Sequence, residues 1–150
     1  MRIRGFGNIR HLVEYGRSEI IRKGKKIAVL GVGSMIPSCM EICKGLKDDG
    51  YDPTFVNARF VKPLDVDLLD ELAKDHSLFV TVEENVKSGG YGEHVSAYME
   101  ACHPEIRVLS AAVWDRFVPQ GNVESLRSRI GLGVEDIRQA IEDSEELREQ

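Results

Sequence analysis

The densest chemistry in this chain lies in Thr81 to Gly92, TVEENVKSGGYG. Glu83 and Glu84 are carboxylates of the kind that acid–base catalysis or cation binding uses, and Asn85 adds an amide. Adjacent residues of a strand point to opposite faces, so these two carboxylates do not converge on one substrate. Either one alone would hold a cation or a loop. The expected role is a hydrogen-bond anchor for the glycine turn that follows, with Asn85 serving the same end. Gly89, Gly90 and Gly92 permit backbone angles and close approaches that a side chain resists, and the spacing predicts a helix from Tyr91. The free N–H groups of a helix start favour an anion. A phosphate, a partner's carboxylate or a purely conformational turn are all open at this point. Glu83, Glu84, Asn85, Gly89, Gly90, Tyr91 and Gly92 therefore form the candidate anion or domain-contact loop.

Other chemistry is sparse. There is no Ser–His–Asp arrangement, no HExxH, no P-loop and no zinc spacing. Gly31 and Gly33 begin a dinucleotide-like pattern, but Pro37 stands near the place of the third glycine and Asp52 is misplaced for the ribose acid. The reading adopted is a tight strand-to-helix turn, with Ser34 as helix cap and Pro37 in the first turn. His76 falls in a turn, and His94 lies in the first turn of a helix, off its apolar stripe. Cys39 and Cys43 share a helix face, Cys102 ends another helix, and all three read as small apolar residues against a core. No residue is assigned to catalysis, cofactor binding or a metal, so the chain alone does not carry the equipment of a complete enzyme.

The elements that must position the loop follow from periodicity. Ser77 to Val82 is a buried strand, so Glu83 to Asn85 fall at the carboxyl end of a strand, where open α/β sheets gather function. Upstream, Ser18–Arg22, the turn Lys23–Gly24–Lys25 and the strand Ile27–Val32 read as a hairpin with an antiparallel, charged edge strand. A helix from Ser34 to Asp49, a strand at Thr54–Ala58, and a helix capped by Asp65 and holding Val66, Leu68, Leu69 and Leu72 come next. The glycine loop leads into a helix with Tyr91, Val95, Tyr98, Met99 and Cys102 on one stripe. A strand at Ile106–Leu109 follows, and then a loop from Ala111 to Gly121. Two helices, Val123–Ile130 and one marked by Val134, Ile137 and Ile141, close the chain. Strands alternating with helices predict an α/β fold: three layers, α/β/α, around an about five-stranded, mostly parallel sheet with one antiparallel edge strand. Residues 1–15 read as an arm or linker and residues 16–150 as one domain.

Two stretches suggest contact with another surface. Arg59, Phe60 and Lys62 set two cations beside an aromatic, near enough to the neighbouring strand end to suggest ion pairs with Glu83 or Glu84. Trp114, Asp115, Arg116 and Phe117 load a loop with large apolar groups, which fold back or dock elsewhere. A net charge of −5 offers no basic excess for nucleic acid. The apolar runs fall short of the ~20 residues of a membrane helix, and no secretory leader opens the chain. Reduced thiols suit the cytoplasm.

ARFVKPLD (Ala58 to Asp65) followed by TVEENVKSGGYG resembles the C-terminal, third domain of the 1-deoxy-D-xylulose-5-phosphate synthases, within the transketolase-like superfamily. The lead-in YGRSEIIRKGKKIAVLGVGSM (Tyr15 to Met35), WDRFVPQG (Trp114 to Gly121) and Gly131–Leu132 extend the resemblance over residues 15–142. It implies a transketolase C-terminal-like fold. It also implies membership of an enzyme that condenses pyruvate with glyceraldehyde 3-phosphate on thiamine diphosphate with magnesium, for isoprenoid precursor synthesis. In that family the cofactor and metal are held by a Gly-Asp-Gly…Asn motif of the first domain, and the activating glutamate lies in the second. The resemblance thus implies no catalytic or cofactor residue in this chain. Its implied partners are the remaining domains and a second subunit in a homodimer, with no nucleic acid and no membrane. A split transketolase, a 2-oxoacid dehydrogenase beta subunit and a free-standing anion- or nucleotide-binding module stay open as alternatives.

Overall fold

The computed structural model describes residues 13–114 and 122–144. The elements are β1 (Glu19–Arg22), β2 (Lys26–Gly31), a single tight turn (Gly33–Met35), α1 (Ile36–Asp48), β3 (Thr54–Asn57), α2 (Val66–Leu72), β4 (His76–Val86), α3 (Tyr91–Cys102), β5 (Arg107–Val113), α4 (Val123–Arg129) and α5 (Val134–Glu142). One five-stranded sheet has the order β1-β3-β2-β4-β5. β2, β3, β4 and β5 are mutually parallel, and β1 pairs antiparallel with β3 at the edge.

Two apolar layers hold the sheet. On one face Ile27, Val29, Phe55, Leu78 and Val80 meet Cys39, Ile42 and Leu46 of α1 and Ile137 and Ile141 of α5. On the other, Ala28, Leu30, Val56 and Phe79 meet Leu69 and Leu72 of α2 and Tyr91, Val95 and Met99 of α3. β2 supplies both layers because it is central and its residues alternate between faces. Four of its side chains, Ile27 to Leu30, are buried almost completely. The expected three-layer architecture and strand polarity are therefore present. Among the described residues no helix is long and apolar enough to cross a membrane.

Several local expectations are corrected. β1 does not form a hairpin with β2; it crosses to β3, with Glu19 opposite Asn57 and Ile20 opposite Val56. Both edges of β2 are taken by parallel strands, so no position beside it is open. Ser34 does not cap α1: Met35 occupies the cap position without a side-chain bond, and Pro37 lies in the first turn. Ala111 to Val113 continue β5 rather than forming a loop, and β4 runs on to Val86, so Glu83 to Asn85 lie within the strand. Cys39 and Cys43 are buried, but Cys102 is exposed. Burial pushes the Cys39 and Cys43 thiols up to about 12.

Candidate functional site

Glu83 is fully buried near the end of β4, and its neighbour Glu84 is exposed, as strand alternation requires. Burying a carboxylate is costly unless its oxygens are satisfied. Here the start of α3 satisfies them. The Tyr91 N–H donates to Oε2 at 2.9 Å and the Gly92 N–H to Oε1 at 2.8 Å. The Asn85 amide adds a long contact to Oε2 at 3.4 Å. Among the described residues no Lys or Arg pairs with Glu83, so helix N–H groups and the α3 dipole are its compensation. The glycines follow from this arrangement. A Cβ on Gly90 would lie 2.7 Å from Glu83 Oε1 and 2.7 Å from the Val86 carbonyl, and one on Gly92 would collide with Ser110 Oγ and Thr81 Oγ1. Gly89 has a φ of +72°, the left-handed turn that brings the chain into α3. Tyr91 is buried beneath the turn, and that burial, with the charges of Asp65 and Glu83, raises its hydroxyl pKa. The anchor role expected of the acidic pair thus falls to Glu83, through its own helix terminus.

Glu84 takes a different set of partners on the solvent side. Ser34 donates to its Oε2, and Arg127 donates to Oε1 at 2.6 Å. The Ser34 bond first, and the Arg127 guanidinium with it, hold its carboxyl below the usual range. The Ser34–Glu84 bond joins the residues that follow β2 to β4, at the point where the connections diverge to opposite sides of the sheet and ligands of open α/β folds gather. Arg127 has no signal in the sequence, because a lone Arg on a short helix carries none of its own.

The Ala58 to Asp65 segment faces the chain's own lead-in. Arg59 adopts a φ of +57°, its N–H bonded to Asn57 Oδ1, and its guanidinium pairs with Glu19 at 2.5 Å. The suggested ion pairs of Arg59 or Lys62 with Glu83 or Glu84 are therefore not formed among the described residues. Phe60 packs edge-on against Tyr15 at 5.5 Å between centroids. Asp65 caps α2 through Leu68 N–H, as expected, and also accepts from Ser18 N–H at 2.7 Å and Arg17 at 3.0 Å. Lys62 is exposed.

At the far edge Trp114 is 58% exposed, with Lys87 Nζ 4.8 Å from its ring centroid. Asp115, Arg116 and Phe117 lie outside the described residues. Trp114, Lys87, Ser88, Ser96 and Ser110 border a cleft of about 360 Å³ beside the glycine loop. Within the loop, Lys87, Ser88 and Gly89 face outward while Gly90, Tyr91 and Gly92 are buried.

These residues do not fit thiamine diphosphate with a divalent cation. The Tyr91 and Gly92 N–H groups that would meet a diphosphate already hold Glu83, whose charge would repel it. Among the described residues no group of three His, Cys, Asp or Glu side chains is placed to hold a metal.

Comparisons with known proteins agree with this architecture. The family model of the transketolase C-terminal domain matches residues 16–137. The 1-deoxy-D-xylulose-5-phosphate synthase of Dictyoglomus thermophilum is 40% identical over 129 residues, 86% of this chain and 21% of the relative. The synthase of Lachnoclostridium phytofermentans is 40% identical over 124 residues, 82% of this chain and 20% of the relative. This chain thus spans about a fifth of the length of the curated relatives it matches. Among solved structures, a split gene transketolase, an inactive β4 tetramer, superposes with a TM-score of 0.80 and 29% identity, over 90% of this chain and 43% of that one. A transketolase from Campylobacter jejuni, 17% identical with a TM-score of 0.60 over 86% of this chain and 19% of that one, shares the fold. The chain belongs to the transketolase C-terminal domain family.

Proposed function

We propose that this chain is the C-terminal, architectural domain of a thiamine diphosphate- and magnesium-dependent 1-deoxy-D-xylulose-5-phosphate synthase. That enzyme condenses pyruvate with glyceraldehyde 3-phosphate for isoprenoid precursor synthesis in the cytoplasm. The observation that carries the reading is the match to the synthases at about 40% identity over most of this chain and only about a fifth of theirs. The site chemistry supports it, because Glu83 is engaged with α3 and Glu84 with Ser34 and Arg127. On this reading residues 16–150 form the domain and residues 1–15 the linker. The isolated domain has no turnover, and the cofactor is bound by the other domains. The outward part of the glycine loop, Lys87 to Gly89, and the exposed Trp114 are the contact surface toward those domains and toward a second subunit of a homodimer, with Lys62 as a peripheral contributor. Co-expression with a synthase chain truncated before its own third domain tests this. Recovery of synthase activity in a co-purified complex supports the proposal; a truncated chain that neither binds this protein nor gains activity refutes it.

A second reading is favoured by the structural match to the split gene transketolase. In it the chain is the C-terminal part of a split enzyme, and a separate polypeptide brings the cofactor. Pull-down from the native organism separates the two: a cofactor-binding partner that transfers two-carbon units between sugar phosphates favours the second reading.

A further inference from the structure

The sheet face covered by α1 and α5 is incompletely roofed at the β1 edge. There a cleft of about 340 Å³ runs between β1 and α1, floored by Ile21, Met40, Cys43 and Phe55 and rimmed by Arg22, Lys44 and Lys47. Ile21 is 44% and Met40 57% exposed, two of the few large apolar side chains left open to water. Facing each other across one groove, they make an apolar strip and not scattered exposure. Phe55 and Cys43 continue the strip inward, and the neutral Cys43 thiol behaves there as a hydrophobe.

Two observations define the occupant. The first is the edge itself. The β1–β3 register slips between Ile20 and Arg22, which turns both Ile21 and Arg22 toward the cleft. A four-residue strand with a bulge and charges at both ends is a poor template for strand addition. A helix laid along the groove meets no such obstacle, presenting apolar residues at i, i+3, i+4 and i+7. The second is charge. The charged residues that line the cleft are Arg22, Lys44 and Lys47, with no Asp or Glu among its lining, in a chain whose overall balance is −5. Arg22 is paired with Asp52, while Lys44 and Lys47 make no ion pair among the described residues. The segment preceding residue 13 carries Arg2, Arg4 and Arg10 and no acid, so its charge is wrong for this rim.

We propose that the β1–α1 cleft is a docking groove for an acidic amphipathic helix of a partner protein, with apolar side chains seated on Ile21, Met40 and Phe55 and carboxylates meeting Lys44 and Lys47. This surface is separate from the glycine loop and Trp114, so its test does not depend on synthase activity. The probe is a fluorescein-labelled peptide of about 18 residues, five helical turns, with Leu on one face and Glu elsewhere; a companion carries Lys in place of each Glu. Fluorescence anisotropy with the full chain is expected to give a Kd on the order of 10–100 µM for the acidic peptide and at least about tenfold weaker binding for the basic one. Lys44→Glu with Lys47→Glu, and separately Met40→Asp, each weaken the acidic peptide about tenfold or more. Raising salt from about 0.1 to about 1 M, which shortens the screening length from about 10 to about 3 Å, weakens it several-fold. Circular dichroism confirms that the variants, altered only at exposed positions, remain folded. No binding at about 1 mM peptide (a contribution below about 4 kcal/mol), equal binding of the basic peptide, or indifference to both substitutions overturns the proposal. So does sedimentation showing a dimer that Met40→Asp dissolves, since the groove would then receive a second copy of this chain.

Discussion

Replacing Glu83 by Gln changes one atom's chemistry at nearly constant volume and isolates the bond between β4 and α3. The buried carboxylate accepts from the Tyr91 and Gly92 N–H groups, one on each oxygen, at 2.9 and 2.8 Å. Bonds of this charged kind contribute about 1.5–3 kcal/mol each. Gln keeps one oxygen, so one bond survives in weaker, neutral form at about 1 kcal/mol. Its NH2 group faces the other N–H donor, which leaves a buried donor unsatisfied at about 1–3 kcal/mol. The weakened bond loses about 0.5–2 kcal/mol and the orphaned donor about 1–3, a combined loss of about 1.5–5 kcal/mol. With a urea m-value of about 2 kcal/mol/M, the midpoint followed by circular dichroism falls by about 1–2.5 M with an unchanged slope. Glu84→Gln is the matched control. It sits one residue away on the solvent side, and its exposed ion pair with Arg127 accounts for no more than about 1 kcal/mol. Glu83→Gln within about 0.5 kcal/mol of the parent, or equal effects of the two variants, would refute the claim that Glu83 is a structural anchor.

Three further outcomes follow from the same geometry. Gly92→Ala drives a methyl into Ser110 Oγ and Thr81 Oγ1 and is expected to cost about 1–3 kcal/mol; Ser110→Gly in that background should restore part of the loss in a thermal melt. Asp65→Ala removes the α2 cap and the acceptor for Ser18 and Arg17 together. A loss of about 2–3 kcal/mol by urea unfolding is expected from one cap and one partly buried charged bond. His76 is held neutral by burial, its Nδ1–H donating to the Leu72 carbonyl and its Nε2 accepting from Thr54. Burial lowers its folded pKa below the ordinary value of about 6.5, so in acid the unfolded chain takes up the proton more readily. Its stabilising contribution is present above about pH 6.5 and is lost as pH falls from there toward the folded pKa. Urea midpoints on the two sides of this window should converge for His76→Gln relative to the parent, and identical pH dependence would contradict the assignment.

Much of this molecule was legible in its sequence, and the failures have physical causes. Continuous apolar runs such as Ile27–Leu30 and Leu78–Val82 announced strands buried on both faces, and the alternation with helices announced a parallel sheet. Strand partnership was not legible. The Lys23–Gly24–Lys25 turn carries a hairpin signal, yet β1 crosses to β3 because β2 is flanked on both sides by parallel neighbours. The adjacency of Glu83 and Glu84 correctly implied opposite faces. It did not reveal that the buried one would occupy the helix start which, on sequence alone, was also open to a phosphate. Arg59 turned to Glu19 because its left-handed backbone redirects the side chain, and that conformation has no signature in a non-glycine residue. Cys102 lay on the apolar stripe of α3 by spacing, but it ends the helix, beyond the layer that buries Met99.

The proposed scaffold role has Glu83 engaged in holding β4 to α3. Isothermal calorimetry of the purified chain with thiamine diphosphate and magnesium, followed by addition of pyruvate and glyceraldehyde 3-phosphate, tests it most directly. A scaffold domain gives no saturable heat and no carbon dioxide release. Saturable binding abolished by Glu83→Gln in a chain that remains folded, or release of carbon dioxide from pyruvate, would contradict it.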